Sequence, residues 1–312
     1  MGLAIALAYG AGMVTGVVGI KAESPGRGEV LAEAVDEIAR NAAHPVSREE
    51  LEHAAIKGML DALDDQWARY YPPKRYKSFQ SSLVGRHADQ RASRSQRRES
   101  VPASPVSVRQ VAGDVLVVDV ANFSSGVGRQ VRKAVLGPSS QHDGGIILDL
   151  RGNPGGLLRE AVRTASVFLD GGVVVSYEGR GSARHVRRAA GPSDTTTPLA
   201  VLVDGASASA AEVVAGALQD RDRAVIIGSR TLGKGTVQRA YQLSDGSAVK
   251  LTIGRYYTPS GRNLGERGIV PDVYVDPDRS PKVAVHRARQ VLSGLVAMAD
   301  SEHERGTADV TR

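Results

Sequence analysis

From residue 106 onward, short apolar runs alternate with segments of helical periodicity. The runs are nearly continuous and rich in β-branched residues, which is typical of strands buried on both faces of a sheet. Helical patterns such as LLREAVRTASVFL and AAEVVAGALQD lie between them. This alternation predicts an α/β core with a mostly parallel sheet and crossover helices. The predicted strands are DVLVVDVANF, GGIILDL, GGVVVSY, PLAVLVDG and RAVIIGS.

Residues 22–85 form a predicted N-terminal helical segment. VLAEAVDEIAR and SREELEHAAIKGMLDAL both have apolar residues at i, i+3 and i+4, and Ser47 and Glu50 form a capping box at the start of the second. Prolines in YYPPKRYKSFQSSLVG separate one helix from another short one. At the other end of the chain, residues 279–312 are predicted to form a C-terminal helix and tail.

Residues 86–105, RHADQRASRSQRRESVPASP, are rich in arginine and serine and almost without apolar side chains. Such a segment is too polar to pack into a core, which predicts a solvated linker. A nucleic-acid-binding tail is the alternative interpretation.

The stretch from Gly2 to Ile20 contains no charged residue and is just long enough to span a bilayer as a helix. We interpret residues 1–21 as a signal anchor or transmembrane helix, so that the membrane is a predicted partner. The remainder of the chain would then face the extracytoplasmic side, either periplasmic or extracellular. A buried apolar helix is the alternative.

Composition narrows the possible chemistry. The 4% aromatic content argues against a base-stacking surface, and the net charge of +6 is modest, so no nucleic-acid partner is expected. The absence of cysteine excludes thiolate catalysis, disulfides and cysteine-ligated zinc. We predict neither a metal nor a cofactor.

Lys234 lies in GSRTLGKGTVQ, which resembles a phosphate-binding loop. Such a loop needs Ser or Thr directly after the lysine and then a helix, whereas Gly235 follows here. The residues beyond it alternate between apolar and polar around an Asp-Gly turn, which predicts a β-hairpin. A hairpin cannot direct a helix N-terminus at a phosphate, so Lys234 serves other chemistry.

Two predicted strands end in turns of small residues. The turn Asn153–Gly156 in LDLRGNPGGLL leaves N–H groups open at a helix N-terminus, where they could stabilise negative charge, or it is simply a tight turn that needs glycine. In LAVLVDGASASAAEVV, Ser209 is either an ordinary N-cap or a nucleophile on a sharp turn.

A serine nucleophile needs a base. None of the seven histidines lies in a glycine-framed turn at a strand end, whereas Lys234 lies between Gly233 and Gly235. A lysine can act as base when burial lowers its pKa enough to keep it neutral.

Five motifs occur in a fixed order: LDLRGNPGGLL, VDGASASAAE, GKGTVQ, YYTPSGR and GIVPD. Together they resemble the C-terminal processing peptidases, also called tail-specific proteases, over residues 106–275. The resemblance implies a serine endopeptidase core at 106–278, with a fold related to the Clp protease and crotonase family. It also implies protein or peptide substrates, unfolded or with exposed C-termini, and a location in the cell envelope.

Carried over motif by motif, the resemblance assigns the nucleophile to Ser209, the base to Lys234 and the residue that orients the base to Gln238. The oxyanion hole would combine the N–H of Ala210 with that of Gly155 or Gly156. Ser207, two residues before Ser209, is the alternative nucleophile.

The chain departs from the family in one respect. Members typically carry a PDZ domain of about 80 to 90 residues between the N-terminal helices and the catalytic core, whereas this chain has only the linker at 86–105. We therefore expect a peptidase without a PDZ domain, for which an adaptor protein could supply substrate recognition. The alternatives are a catalytically silent relative that acts as an envelope scaffold or adaptor and, more distantly, a crotonase-like acyl-CoA enzyme.

Overall fold

The computed structural model describes residues 27–84, 104–138, 140 and 142–309. The chain divides into two compact units, Met1–Ala62 and Leu63–Arg312. The predicted anchor at 1–21 and most of the predicted linker lie outside the described residues. Among the helices that are described, none is both long and apolar enough to cross a membrane.

The described part of the first unit contains two helices, α1 (Arg27–Asn41) and α2 (Arg48–Asp61). The predicted capping box is confirmed: Glu50 N donates to Ser47 Oγ at 3.2 Å, and Ser47 N donates to Glu50 Oε2 at 2.9 Å. Each side chain thus satisfies an N–H group that the first turn of α2 leaves open.

The second unit carries all the strands that the structure describes. Its elements are β1 (Arg69–Tyr71), α3 (Pro73–Leu83), β2 (Val106–Val111), β3 (Val115–Val120), α4 (Val127–Leu136), β4 (Ile146–Asp149), α5 (Leu158–Ala165), β5 (Val173–Gly179), β6 (His185–Arg188), β7 (Leu199–Val203), α6 (Ala210–Asp220), β8 (Val225–Gly228), β9 (Thr236–Gln242), β10 (Ala248–Tyr257), α7 (Leu264–Arg267), β11 (Val273–Tyr274) and α8 (Pro281–Asp309).

A six-stranded sheet forms the centre of this unit, in the order β11-β8-β7-β4-β3-β2. All neighbouring strands run parallel except β2, which is antiparallel to β3. The mostly parallel α/β core is therefore confirmed. Every residue of β7 is buried, because helices cover both faces of the sheet.

Alternate residues of each strand pack on opposite faces. On one face, Leu148 and Val201 join the large cluster that includes the apolar residues of α4, α5 and α6. On the other, Ile147 and Leu202 pack with Ala288 and its neighbours on α8. The carboxyl ends of β4 and β7 consequently open beside the N-termini of α5 and α6.

A second sheet is antiparallel, in the order β1-β10-β5-β6, with β9 also paired to β10. It contains the predicted hairpin of β9 and β10, whose turn is closed by Leu243 N donating to Ser247 O at 2.8 Å. Strand β5, the run GGVVVSY, belongs to this sheet and not to the parallel one that we predicted for it. A short apolar run predicts a buried strand but carries no information about its pairing partners.

Candidate active site

The turn between β4 and α5 is held by Asn153, which is completely buried. Its Nδ2 donates to Val120 O at 2.7 Å, and its Oδ1 accepts from Gly155 N at 2.8 Å. Gly155 has a φ of +99°, and a Cβ added to it would lie 2.9 Å from the Cβ of Ser209. Glycine is therefore required at 155 by both its backbone conformation and the close approach of the serine turn.

The two serines of the turn after β7 have different environments. Ser207 is completely buried, and its hydroxyl donates to Leu150 O at 2.7 Å and accepts from Asp204 N at 3.0 Å. Ser209 is half-buried and stands at the N-cap of α6. The Ser207 hydroxyl is thus part of the framework that shapes the turn, whereas Ser209 remains partly accessible.

Ser209 adopts a φ of +54° and a ψ of −110°. A positive φ is unfavourable for a residue with a side chain, on the order of 1 to 3 kcal/mol, and persists only where the surroundings enforce it. Such a conformation turns the side chain out of the strand-to-helix connection, as a sharp nucleophile turn requires.

Glu212, one turn into α6, is completely buried and accepts four hydrogen bonds. Its Oε2 accepts from Ser209 N at 2.7 Å and from Lys234 N at 2.9 Å. Its Oε1 accepts from Thr231 Oγ1 at 2.6 Å and from Gly233 N at 2.7 Å. The carboxylate therefore binds the serine turn and the lysine loop to each other through one oxygen atom.

The lysine loop between β8 and β9 is also fixed by its glycines. Gly233 has a φ of +80°, and a Cβ on Gly235 would lie 2.0 Å from Gly265 N. Thr231 Oγ1 accepts from Ile269 N at 2.7 Å, which anchors the loop to the segment after α7. The glycines that frame Lys234 thus allow a tight loop to pack against another backbone.

The Lys234 ammonium is half-buried, and its Nζ lies 4.6 Å from the centroid of the Trp67 ring. Burial lowers the pKa of Lys234, and the positive charges of Lys250 and Arg69 lower it further, while the Glu212 carboxylate acts in the opposite direction. The environment therefore shifts Lys234 towards the neutral amine.

Gln238 lies on β9, and its Nε2 donates to Trp67 O at 2.9 Å. Within the part of the chain that the structure describes, the Gln238 side chain forms no hydrogen bond with Lys234. The two residues are instead connected through Trp67, whose ring contacts the lysine and whose carbonyl accepts from the glutamine.

The N–H groups of Gly156 and Ala210 have no hydrogen-bond acceptor among the described residues. Ala210 follows Ser209 directly, and Gly156 follows Gly155, whose backbone packs against the serine turn. Gly156 is exposed and Gly155 is buried, with its N–H bound to Asn153. Of the two glycines predicted for the oxyanion hole, Gly156 is therefore the one whose N–H is free.

Glu212 and Trp67 are two residues of the site that are not among those predicted from the sequence. Glu212 has a local signal, because SAAE from Ser209 onward matches the Ser-x-x-Glu pattern of a capping box. Trp67 has none, since its position beside the lysine depends on strand pairing between β1 and β10. Over the described parts of the chain, no cluster of three or more His, Asp or Glu side chains could hold a metal ion.

Comparison with known families gives one match, to Peptidase family S41, over residues 114–275. Among curated relatives, the chloroplastic C-terminal processing peptidase of Tetradesmus obliquus is 42% identical over 165 residues, which cover 53% of this chain and 36% of that protein. The carboxyl-terminal-processing protease of Synechocystis sp. is 34% identical over 251 residues, 76% of this chain and 58% of that protein. The chain thus spans from about a third to somewhat over half of these relatives.

Two solved structures resemble the fold. The photosystem II D1 C-terminal processing protease superimposes with a TM-score of 0.61 at 25% identity and covers 85% of this chain and 97% of its own. A lipoprotein from Streptococcus agalactiae has the same TM-score of 0.61 at 15% identity, with 86% and 89% covered. The second similarity concerns the fold alone.

Replacing Glu212 by Gln should destabilise the protein by on the order of 2 kcal/mol or more, because an amide offers one acceptor oxygen and presents its NH₂ group to N–H donors. Urea unfolding measures this change. Glu160→Gln is the matched control: Glu160 is equally buried and accepts from one backbone group, Gly128 N, but its other partners Arg159 and Arg163 are more than half exposed and can be rehydrated. Equal urea midpoints for Glu212→Gln and the parent would show that the hydrogen bonds of this carboxylate do not stabilise the fold.

Proposed function

The chain belongs to peptidase family S41, and we propose that it is a serine endopeptidase of the C-terminal processing type. The observation that carries this proposal is the Glu212 carboxylate, whose Oε2 accepts from the backbone N–H of both Ser209 and Lys234. The backbones of the proposed nucleophile and the proposed base, which come from two separate segments, are thereby bound to the same atom. The curated relatives that bear the name of such proteases support the same function.

In the proposed acylation step, the neutral Lys234 amine accepts the proton of Ser209 Oγ while that oxygen attacks the carbonyl carbon of a peptide bond. The carbonyl π electrons move to its oxygen, and the N–H groups of Gly156 and Ala210 stabilise the negative charge. The tetrahedral intermediate collapses, the C–N bond breaks, and the Lys234 ammonium returns the proton to the leaving amine.

Hydrolysis of the resulting ester repeats these events with water as the nucleophile. Lys234 accepts a proton from the water, whose oxygen attacks the acyl carbon, and the same two N–H groups stabilise the second oxyanion. Collapse expels Ser209 Oγ, which regains its proton from Lys234. Gln238 fixes the Trp67 segment beside the lysine, and Gln238 and Glu212 therefore act as positioning residues.

Two features of the described residues argue against a catalytically silent relative that serves as an envelope scaffold. Such a protein has no need for the strained backbone of Ser209 or for a lysine held in surroundings that lower its pKa. Backbone strain and a shifted pKa both cluster at functional sites, where they serve the chemistry.

The proposed substrates are unstructured segments of envelope proteins. The envelope location, the membrane anchor at 1–21 and an adaptor in place of a PDZ domain remain predictions from the sequence. They are tested by recovering the full-length chain from membranes with detergent but not with high salt, and by identifying the proteins that co-purify with it.

Ser209→Ala and Lys234→Ala should each reduce the cleavage of an unfolded protein by a factor on the order of 10³ or more. Lys234→Arg should fail equally, because a guanidinium does not lose its proton in the working range. Ser207→Ala is the control: it removes the two hydrogen bonds by which the hydroxyl holds the turn, so the free energy of unfolding should fall by about 1 to 3 kcal/mol while activity is retained below the unfolding temperature. Loss of activity in Ser207→Ala with full activity in Ser209→Ala would place the nucleophile at 207.

The rate of cleavage should rise with pH, because the neutral form of Lys234 is the competent base. Since burial and the charges of Lys250 and Arg69 lower the pKa of Lys234, the midpoint of the rising limb of kcat/KM should lie below the ordinary lysine value of 10.5. A limb centred near 6.5, the usual pKa of histidine, would instead indicate a histidine base.

Cleavage should depend little on a free C-terminal carboxylate in the substrate, because no PDZ domain is expected to capture that group. The measurement compares one unfolded substrate with a free and with an amidated C-terminus. Rates within a factor of about two agree with recognition by the residues around Ser209 and not by a carboxylate-binding site. A tenfold loss on amidation would show that a carboxylate-binding site exists.

A further inference from the structure

Trp67 is held rigidly in the short connection before β1. Asp65 Oδ1 accepts from Trp67 N at 2.9 Å, and Asp65 Oδ2 accepts from Thr252 N on β10 at 3.3 Å. Burial acts to raise the pKa of Asp65, but hydrogen bonds from Thr252, Trp67 and Ala68 outweigh it and keep the pKa below the usual range. The carboxylate therefore remains charged and fixes this turn to the antiparallel sheet.

Trp67 contacts both Lys234 and Gln238, the two residues besides Ser209 to which the proposed mechanism gives a role. Its ring face lies 4.6 Å from Lys234 Nζ, and its carbonyl accepts from Gln238 Nε2 at 2.9 Å. No hydrogen bond joins Lys234 Nζ to Ser209 Oγ among the described residues. In the structure, the lysine thus rests against the indole and not on the nucleophile.

We propose that Trp67 is a positioning residue that holds Lys234 in its protonated form and releases the neutral amine to Ser209. The inference rests on the proposed function of Lys234 as the base. An ammonium is attracted to the negative face of an indole, whereas an uncharged amine is not. Loss of the proton therefore removes the attraction to the ring at the moment when the amine becomes able to accept the proton of Ser209.

The other charged groups that face Lys234 act on it in both directions. Lys250 on β10 and Arg69 on β1 repel the ammonium, while Glu212 on α6 attracts it. The ring is the uncharged group that favours the protonated form. The ring also shields the amine from water, so removing the ring has two opposite effects. Loss of the attraction to the ring face lowers the pKa of Lys234, whereas the entry of water raises that pKa.

The indole itself reports on this contact, because Trp67 is the single tryptophan of the sequence. The experiment follows tryptophan emission from pH 6 to 11 in Ser209→Ala, in which no self-cleavage is expected. A transition should appear below pH 10.5 as the neighbouring ammonium loses its charge. Introducing Lys234→Met into the same background should abolish it and leave only the signal from ionising tyrosines.

Lys250→Met is the matched control, because Lys250 Nζ lies over Tyr71 at 5.5 Å and over Phe79 at 5.7 Å, and not over the indole. This variant should keep the emission transition and move it to higher pH, since one repelling charge has been removed. Identical titrations with and without Lys234 would overturn the proposal.

The kinetic experiment compares the pH profile of kcat/KM in the parent, Trp67→Phe and Trp67→Leu. The rising limb should move to lower pH in that order, by about half a unit to one unit for leucine, because the attraction of the ring weakens and then disappears. A shift of the rising limb to higher pH in Trp67→Leu would mean that the indole only excludes water from Lys234 and would refute the proposed role of Trp67. The emission titration does not require an active enzyme. A missing emission transition would therefore refute the role of Trp67, whereas a lack of proteolysis would refute the proposed function.

Discussion

The buried carboxylate of Glu212 is the interaction on which the site depends. A charge without contact to water is strongly unfavourable unless several donors surround it. Its donors here come from the serine turn and from the loop between β8 and β9, so the charge is tolerated only when both are in place. Assembly of the site and completion of the core are consequently one event, and the site acquires the rigidity of the core.

The regular elements around the site could be predicted because their signals are local. The periodicity of AAEVVAGALQD matches α6 from Ala210 to Asp220, and alternation around the Asp-Gly turn matches the hairpin of β9 and β10. Small residues at two strand ends indicated the turns at Asn153–Gly156 and around Ser209. These features depend on neighbours within a few residues, which a single sequence contains.

The remainder depends on contacts between distant segments. Nothing in RYY predicts a strand that pairs with β10, and therefore nothing places Trp67 beside Lys234. The apolar run of β5 does not reveal that its neighbours are antiparallel. Likewise, the sequence left Gly155 and Gly156 equivalent, and only the side chain of Asn153, which occupies the N–H of Gly155, separates them.

The stretch between Val84 and Ser104 joins two elements of the second unit, α3 before it and β2 after it. Ser125 N donates to Leu83 O at 3.1 Å, and β2 pairs with β3, so both ends of that stretch belong to one folded unit. Closing a loop becomes less favourable by only about 0.6 kcal/mol for each doubling of its length. A module of about 80 to 90 residues could thus be gained or lost here for on the order of 1 to 2 kcal/mol, which makes this junction a natural place for domain exchange.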